Sequence, residues 1–315
     1  MSNRDAPITE DSFVTAQDGL RLHVRDHRPR GATALSVVCL PGLARSVADF
    51  DVLAPALASG NPPRRVIAID SRGRGQSDYD KNPANYNLAV ELGDAVSVLT
   101  ALEIVPAVFI GSSRGGLLTM LLAVTHPTAV AGAVLHDIGP VIEAKGLARI
   151  KSYVGKLPQP RDYADGAEIL RRLFDSQFPK FTIEQWLSAA RRTWRRDGEA
   201  LVPTYDVRLS RTLAEIDIER PLPAMWNEFD ALKSRPVLLI RGANSDILSA
   251  ETAAAMQARH PGMETVEVAD QGHVPSLDDP ALIARIAEFI ARCDAHAAAG
   301  KFPASAPARV SADAQ

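Results

Sequence analysis

The sequence predicts an α/β fold in which a mostly parallel sheet carries helices on both faces and a helical segment is inserted between two strands. Short apolar runs such as Leu35–Leu40, Arg65–Asp70 and Ala107–Gly111 have the length of buried strands, and they alternate with stretches of helical periodicity. This alternation is typical of parallel strands joined by right-handed helical crossovers. It stops between about Ile138 and Ser234, which indicates the insertion.

The predicted elements follow from local patterns along the chain. Phe13–Ala16 and Leu20–His27 alternate around the turn Gln17–Asp18–Gly19 and predict a hairpin. The other core elements, in chain order, are strand Leu35–Leu40, helix Phe50–Ala58, strand Arg65–Asp70, helix Asn87–Leu102, strand Ala107–Gly111, strand Val130–Leu135, strand Pro236–Ile240, strand Thr265–Val268 and helix Leu282–Ala295.

The inserted segment contains all three tryptophans and no convincing strand pattern. We therefore expect residues 1–138 and 235–297 to form the core and residues 139–234 to form an all-helical cap. The end of the chain is rich in Ala, Pro and Ser, so residues 298–315 are expected to be disordered. The helices predicted in the cap are Ile142–Tyr153, Tyr163–Phe174, Ile183–Arg196 and Tyr205–Glu215.

Composition narrows the classes of function. Of the 315 residues, 46% are hydrophobic and 23% are charged, and the formal net charge is -3 with no basic stripe, which argues against a nucleic-acid partner. Met1–Asp11 is polar and acidic, unlike a signal peptide, and no apolar run is long enough to span a bilayer. We expect a cytoplasmic protein with no membrane partner, in which Cys39 and Cys293 are reduced thiols.

The most informative motif is Gly-x-Ser-x-Gly, with Ser113 between Gly111 and Gly115. An apolar strand precedes the motif and an apolar helix, Leu117 to Val124, follows it. A sharp strand-to-helix turn lifts the serine hydroxyl clear of the backbone, and small glycines let the strand and the helix pack closely. The helix also directs its N-terminal amides towards the same point. This context predicts a serine nucleophile.

A serine nucleophile needs a base and a group that orients the base. Asp246 and His273 each lie in a polar loop after a predicted strand, and the order Ser, Asp, His matches a hydrolase triad. The carboxyl ends of parallel strands share one edge of the sheet, so the three side chains are expected to meet there. Asp137 also ends a strand near this site and stays open as the alternative acid, with Asp246 preferred.

With these motifs the chain resembles the capped, esterase-like members of the alpha/beta-hydrolase family from about Phe13 to Asp294. The resemblance implies an eight-stranded, mostly parallel sheet, with Ser113 as nucleophile, Asp246 as acid and His273 as base, and with no cofactor or metal. The motifs that carry it are the turn Pro41–Gly42–Leu43, the turn Asp70–Ser71–Arg72–Gly73, the Gly-x-Ser-x-Gly motif, the Asp246 loop and the pair Gly272–His273.

The resemblance also implies an oxyanion hole made by the backbone N–H groups of Leu43 and Arg114. Family members commonly have a histidine before the glycine of this first turn, whereas Pro41 stands here. The backbone donor is expected to remain, but the hydrogen bonds of that histidine are lost. Removal of one oxyanion donor typically costs about 10²–10³ in rate, so the position of Leu43 matters.

Substrate-binding candidates follow from their neighbourhood. Arg114 directly follows the nucleophile and Arg45 lies just beyond the Leu43 turn, so the two could clamp a substrate carboxylate, or they could pair with acidic protein groups. Trp186 or Trp226 of the cap is a further candidate for lining the pocket, although tryptophans are more often packing residues.

The leading hypothesis is a cofactor-free hydrolase of a carboxylic ester or lactone, acting on a small molecule. Three alternatives stay open: hydrolysis of a carbon–carbon bond in an acid-bearing diketone, perhydrolysis, and a low-turnover ligand receptor. Dehalogenase and epoxide hydrolase chemistry are disfavoured, because both need a carboxylate at the position of Ser113. A homodimer is compatible with the sequence, but no segment points to an interface.

Overall fold

A computed structural model describes residues 7–214, 216–218, 220 and 222–300 of the chain. Eight of its strands form one sheet, and two short ones form a separate hairpin. The ten strands, in chain order, are β1 (Ile8–Thr15), β2 (Arg21–Arg28), β3 (Ser36–Leu40), β4 (Val66–Ile69), β5 (Ala107–Ser112), β6 (Val130–His136), β7 (Trp194–Asp197), β8 (Ala200–Pro203), β9 (Val237–Gly242) and β10 (Glu264–Val268).

The large sheet has the strand order β1-β2-β4-β3-β5-β6-β9-β10. The first two strands pair antiparallel, β2 also pairs antiparallel with β4, and every later neighbour is parallel. This confirms the mostly parallel, eight-stranded sheet. β5 lies near the centre, between β3 and β6, so the residues that follow these three strands come together at one edge.

Helices cover both faces of the sheet, as predicted. Strand side chains alternate between two buried clusters, with Val38 and Leu40 in one and Val37 and Cys39 in the other. The helices of six or more residues outside the insertion, within the described residues, are α1 (Leu53–Ala58), α2 (Leu88–Ala101), α3 (Arg114–Thr125), α9 (Ala250–Arg259) and α10 (Pro280–Ala298). α2 and α3 pack on the first cluster and α1 and α10 on the second.

The chain between β6 and β9, here called the cap segment, contains five helices in its described part. Their bounds are α4 (Ala144–Tyr153), α5 (Tyr163–Phe174), α6 (Ile183–Thr193), α7 (Ser210–Ala214) and α8 (Trp226–Asp230). The segment has an apolar cluster of its own, formed by residues of α5, α6 and the hairpin, among them Leu170, Trp186 and Trp194. The helical insertion is therefore present at the expected place in the chain.

The expectation that this segment is all helical is wrong, because β7 and β8 form an antiparallel hairpin. The predicted helix Ile183–Arg196 ends at Thr193, and Trp194 begins the strand. Gly198, with φ of 57°, makes the two-residue turn between Asp197 and Ala200. Glycine at the first position of a two-residue loop is a hairpin signal, but the arginine-rich, helix-like composition before Gly198 hides this signal in the sequence.

The end of the chain agrees with the prediction only as far as it is described. α10 continues to Ala298, three residues beyond the predicted end of the closing helix at Ala295. Residues 301–315, which make up most of the stretch expected to be disordered, lie outside the described residues. Cys39 and Cys293 are buried free thiols. None of the helices in the described ranges has both the length and the apolar character needed to cross a membrane.

Candidate active site

Ser113 stands on a sharp turn between β5 and α3. Its backbone angles are φ 50° and ψ −114°, a region that residues with a Cβ rarely occupy. The amide of Ser113 donates to the carbonyl of His136 on the neighbouring strand at 2.9 Å, which helps to hold the strained turn. A Cβ on Gly111 would approach the carbonyl oxygen of Gly115 to 2.5 Å, and one on Gly115 would approach that of Leu40 to 2.0 Å. Both positions therefore require glycine.

His273 lies beside Ser113, in the loop that follows β10. Its Nε2 is 2.8 Å from Ser113 Oγ, and its Nδ1 is 2.8 Å from Asp137 Oδ2. The His273 side chain is 6% exposed and that of Asp137 is completely buried. With Nδ1–H donating to the carboxylate, Nε2 is left as the acceptor for the serine hydroxyl. The arrangement can remove a proton from Ser113.

Asp246 does not hydrogen-bond to His273, contrary to the preferred prediction. Its two carboxylate oxygens accept hydrogen bonds from Arg149 of α4, from Nε at 2.7 Å and from Nη2 at 2.8 Å. The alternative acid, Asp137, occupies the position beside the imidazole. The correction follows from the neighbours of the two aspartates, which the order of motifs along the chain does not reveal.

Asp137 is held at the site by the strands on either side of it. It comes directly after β6, which pairs with β5 in a register that sets Ser112 opposite His136. Its Oδ1 accepts from the amide of Gly242 at 2.8 Å, and its Oδ2 accepts from the hydroxyl of Ser245 at 2.7 Å. These two donors fix the direction of the buried carboxylate. The loop after β9 thus supplies Ser245 to the carboxylate, while Asp246 points to the cap segment.

The two predicted oxyanion donors lie next to the nucleophile. A Cβ on Gly42, the residue before Leu43, would come within 3.6 Å of Ser113 Cβ, and Arg114 begins α3 directly after Ser113. Neither the Leu43 amide nor the Arg114 amide has a hydrogen-bond acceptor within the described part of the chain. Unpaired N–H groups on residues next to a nucleophilic serine are suited to stabilise developing negative charge by donating hydrogen bonds to it.

A cavity of about 190 Å³ opens above Ser113 and His273, between the core and the cap segment. Its lining is mostly apolar, with a few polar groups close to the serine. Many of the apolar and aromatic side chains come from α4, α5, α6 and the chain between them: Ile150, Tyr153, Val154, Leu157, Leu170, Phe174, Phe178, Phe181 and Trp186. The cap segment therefore forms the wall that any substrate of Ser113 meets.

The substrate-binding candidates separate into two groups. Arg45 and Trp186 line the cavity, with the Arg45 guanidinium paired to Asp49 (Nε to Oδ2, 2.8 Å). Arg114 points away from it, because its Nε donates to the buried carboxylate of Glu91 at 2.6 Å. Trp226 also lies elsewhere, packed beneath the guanidinium of Arg259. Of the two possibilities left open for Arg114, the structure shows the pairing with an acidic protein group. Of the two tryptophan candidates, Trp186 lines the cavity and Trp226 does not.

His136 is a second histidine in the cavity wall, and it is buried. Its Nδ1 lies 3.0 Å from Ser112 Oγ. Burial lowers the pKa of His136 to about 4, so the ring is neutral at neutral pH. A neutral ring here adds no positive charge next to His273.

Several contributors to the site were missed from the sequence. Arg149, Tyr153 and Ser245 were not singled out, although Ser245 lies on the loop that was expected to carry the acid. The helical pattern of residues 144–153 gave the element but not which side chains face the cavity. Only the packing of α4 against the loop after β9 shows this.

Comparisons with known proteins agree with this geometry. A model of the alpha/beta hydrolase family matches residues 37–286. The chain belongs to this family. A crystal structure of an alpha/beta hydrolase from Novosphingobium aromaticivorans is similar, with 41% identity and a TM-score of 0.82 over 90% of this chain and 98% of that one. The protein is therefore a hydrolase.

Two curated relatives carry names that specify a reaction. The 3-hydroxybutyrate-oligomer hydrolase of Cupriavidus necator is 34% identical over 260 residues, which is 80% of this chain and 87% of the relative. The 2-hydroxymuconate semialdehyde hydrolase of a Pseudomonas species is 27% identical over 255 residues, 79% of this chain and 83% of the relative. This hydrolase is thus similar to enzymes named for an oligomer and for a semialdehyde.

Proposed function

We propose that the protein hydrolyses small carboxylic esters through an acyl-enzyme on Ser113. The observation that carries the proposal is the continuous hydrogen-bonded path from Ser113 Oγ through His273 to Asp137, with both steps at 2.8 Å, beneath the cavity. The same three side chains would also open a lactone, in which the leaving alkoxide stays attached to the acyl group.

The first half of the reaction forms the acyl-enzyme. His273 Nε2 takes the proton of Ser113 Oγ as the oxygen bonds to the ester carbonyl carbon, and Asp137 stabilises the resulting imidazolium. The carbonyl oxygen gains the negative charge and binds the N–H groups of Leu43 and Arg114. When the tetrahedral intermediate collapses, the bond to the alkoxy oxygen breaks and His273 returns the proton to that oxygen.

The second half regenerates the enzyme. A water molecule gives one proton to His273 Nε2, and its oxygen attacks the acyl carbon. The bond from that carbon to Ser113 Oγ then breaks, and the serine oxygen recovers a proton from His273. The products are an alcohol and a carboxylic acid, and the reaction consumes one water molecule and no cofactor.

The cavity supports a small substrate. Its volume of about 190 Å³ is below the roughly 300–1,000 Å³ of sites for drug-sized ligands. The relative named for 3-hydroxybutyrate oligomers supports short hydroxy-acid esters as the first class to assay. The relative named for 2-hydroxymuconate semialdehyde supports an acid-bearing semialdehyde as the second class to assay.

The test is hydrolysis of p-nitrophenyl butyrate by the wild type and by Ser113→Ala. We expect an initial burst of p-nitrophenol in the wild type and a loss in kcat on the order of 10³ or more in the variant, since the nucleophile is removed. Ser112→Ala is the matched control, because this hydroxyl is one residue away and contacts His136, not His273. Equal activity of wild type and Ser113→Ala would refute the proposal and favour a ligand receptor.

A further inference from the structure

Asp246 and Arg149 join the loop after β9 to the cap segment. Their two parallel hydrogen bonds form a planar, bidentate pair, and the side chains are only 11% and 19% exposed. Burial would raise the pKa of Asp246, but the hydrogen bonds and charge of Arg149 outweigh it and the pKa is lowered. The carboxylate therefore stays ionised and fixes the plane of the guanidinium.

Arg149 in turn lies against two aromatic rings of the cavity wall. Its guanidinium carbon is 6.0 Å from the centre of the Tyr153 ring and 5.6 Å from that of Phe174. The two rings meet edge to face, with centres 5.1 Å apart and planes at 86°. Tyr153 is one helical turn beyond Arg149 on α4, so the two side chains share a face of the helix. The guanidinium thus packs against both rings.

Tyr153 contributes a hydroxyl to a cavity wall whose side chains from the cap segment are mostly apolar. Burial raises the pKa of Tyr153 despite the nearby positive charges of Arg149 and Arg45, so the hydroxyl keeps its proton. Those two cations have no lone pairs and can only donate hydrogen bonds. The hydroxyl proton has no acceptor among the residues that the structure describes, although Tyr153 lines the cavity. It is available to a substrate oxygen.

We propose that Asp246, Arg149 and Tyr153 act in sequence, here called the selectivity relay, to favour esters that carry a further oxygen group besides the ester that is cleaved. Asp246 fixes Arg149, Arg149 fixes the Tyr153 ring, and the Tyr153 hydroxyl donates a hydrogen bond to a hydroxyl or acyloxy oxygen of the substrate. Tyr153 touches the substrate, whereas Asp246 and Arg149 are positioning residues. This proposal rests on the proposed ester hydrolase function and names its substrate class.

Three ethyl or hydroxyethyl esters separate the relay from general catalysis. Ethyl butyrate has no second oxygen function, ethyl 3-hydroxybutyrate adds a hydroxyl on the acyl side, and 2-hydroxyethyl butyrate adds one on the alcohol side. A site built to bind an oxygen discriminates against the analogue that lacks it. For Tyr153→Phe, we expect the preference for at least one oxygen-bearing ester over ethyl butyrate, measured as a ratio of kcat/KM, to fall about tenfold.

The positioning residues are tested by the same ratio and by coupling. Asp246→Asn and Arg149→Met should also lower the preference for the oxygen-bearing esters, and the effect should lie more in KM than in kcat. Arg149→Lys should keep more of the preference than Arg149→Met does but less than the wild type, because lysine cannot form the bidentate pair. In the double variant with Tyr153→Phe, Asp246→Asn should lower the preference no further than Tyr153→Phe alone does. Equal losses on all three esters would show a merely structural role and overturn the relay.

The chain provides a matched control away from the cavity. Asp230 accepts from Arg259 Nη2 at 2.8 Å, and Arg259 covers the ring of Trp226 at 4.8 Å, so this is a second aspartate, arginine and aromatic cluster. Asp230→Asn and Arg259→Lys should leave the preference within about twofold of the wild type. Tyr163→Phe, another tyrosine of the cap segment, serves as the control for Tyr153→Phe.

Failure of the relay differs from failure of the proposed function. If the wild type hydrolyses none of the esters, the proposed function fails, and calorimetric binding of butyrate and 3-hydroxybutyrate then gives the preference without turnover. If the wild type hydrolyses the esters and Tyr153→Phe leaves both preference ratios within about twofold, the relay is wrong while the function stands. In binding, an equal Kd ratio for wild type and Tyr153→Phe overturns the relay as well.

Discussion

The sharpest prediction concerns which of two aspartates, Asp137 or Asp246, orients His273. Asp137→Asn keeps the shape of the side chain, and its amide oxygen can still accept from the Gly242 amide at the Oδ1 position, now 2.8 Å. The amide nitrogen would then face His273 Nδ1 as a donor. His273 must turn Nδ1 into an acceptor, and Nε2 then carries the proton and points it at Ser113. In that tautomer the base cannot take the serine proton.

The magnitude follows from the role of the carboxylate. In a serine triad, the same change of acid to amide lowers kcat by about 10⁴, which corresponds to roughly 5 kcal/mol of transition-state stabilisation. We expect a loss of this order for Asp137→Asn, with KM nearly unchanged because the substitution leaves the cavity wall intact. The assay is steady-state hydrolysis of p-nitrophenyl butyrate at pH 7 to 8.

Asp246→Asn is the matched comparison, since it removes the same charge from the loop that was expected to hold the acid. We expect its kcat on p-nitrophenyl butyrate to stay within about tenfold of the wild type, because the carboxylate contacts Arg149 and not the imidazole. Circular dichroism and thermal unfolding serve as the controls that both variants are folded. A larger kcat loss in Asp246→Asn than in Asp137→Asn would refute the assignment.

Three further predictions concern neighbours of the site. The Ser245 hydroxyl donates to Asp137 at 2.7 Å, so its removal should lower the free energy of unfolding in urea by about 1.5–3 kcal/mol. The loss in kcat should stay below tenfold, because His273 keeps its hydrogen bond to Asp137. A 10³-fold loss in kcat would contradict this. Burial lowers the pKa of His136 to about 4, although the charges of Asp137 and Asp49 act in the opposite direction, so protonation of His136 destabilises the native state. The contribution of His136 to stability is therefore complete above pH 6.5 and is lost as the pH falls towards 4. Between pH 7 and pH 4.5 this loss amounts to about 2 kcal/mol of unfolding free energy. In urea titrations at these two pH values, His136→Gln should lose about 2 kcal/mol less than the wild type. Arg114→Met should change kcat/KM equally for an acid-bearing ester and its methyl ester, because the side chain binds Glu91, and a selective loss on the acid would contradict this.

The sequence was sufficient for the sheet and for two members of the hydrogen-bonded path. Apolar runs followed by polar loops located the strands, and Gly111 and Gly115 marked the turn because only glycine allows those close approaches. Ser113 and His273 follow strands and lie at the shared carboxyl edge, so strand prediction was enough to bring them together.

The acid could not be decided in that way, because Asp137 and Asp246 both follow strands that end at this edge. The decision depends on which neighbour each carboxylate finds: Gly242 and Ser245 hold Asp137 inside, while Arg149 draws Asp246 outwards. These contacts join segments about a hundred residues apart, and no local pattern encodes them.

The cap segment shows the same limit. Helical periodicity placed α4, α5 and α6 to within a few residues, yet not which faces line the cavity. The position of Arg114 after the nucleophile is compatible with a cavity residue or with an internal ion pair, and the buried carboxylate of Glu91 on α2 holds it outside the cavity. Pairing between helices decided this direction, and the spacing of charges along the chain does not reveal it.

Acylation of Ser113 is tested most directly by mass spectrometry of the enzyme quenched in acid during turnover of p-nitrophenyl butyrate. A butyryl group should appear on the peptide that contains Ser113, at a level that rises in the burst and disappears when the ester is exhausted. Rapid ester turnover with no acyl group on Ser113, or with the group on another residue, would contradict the account.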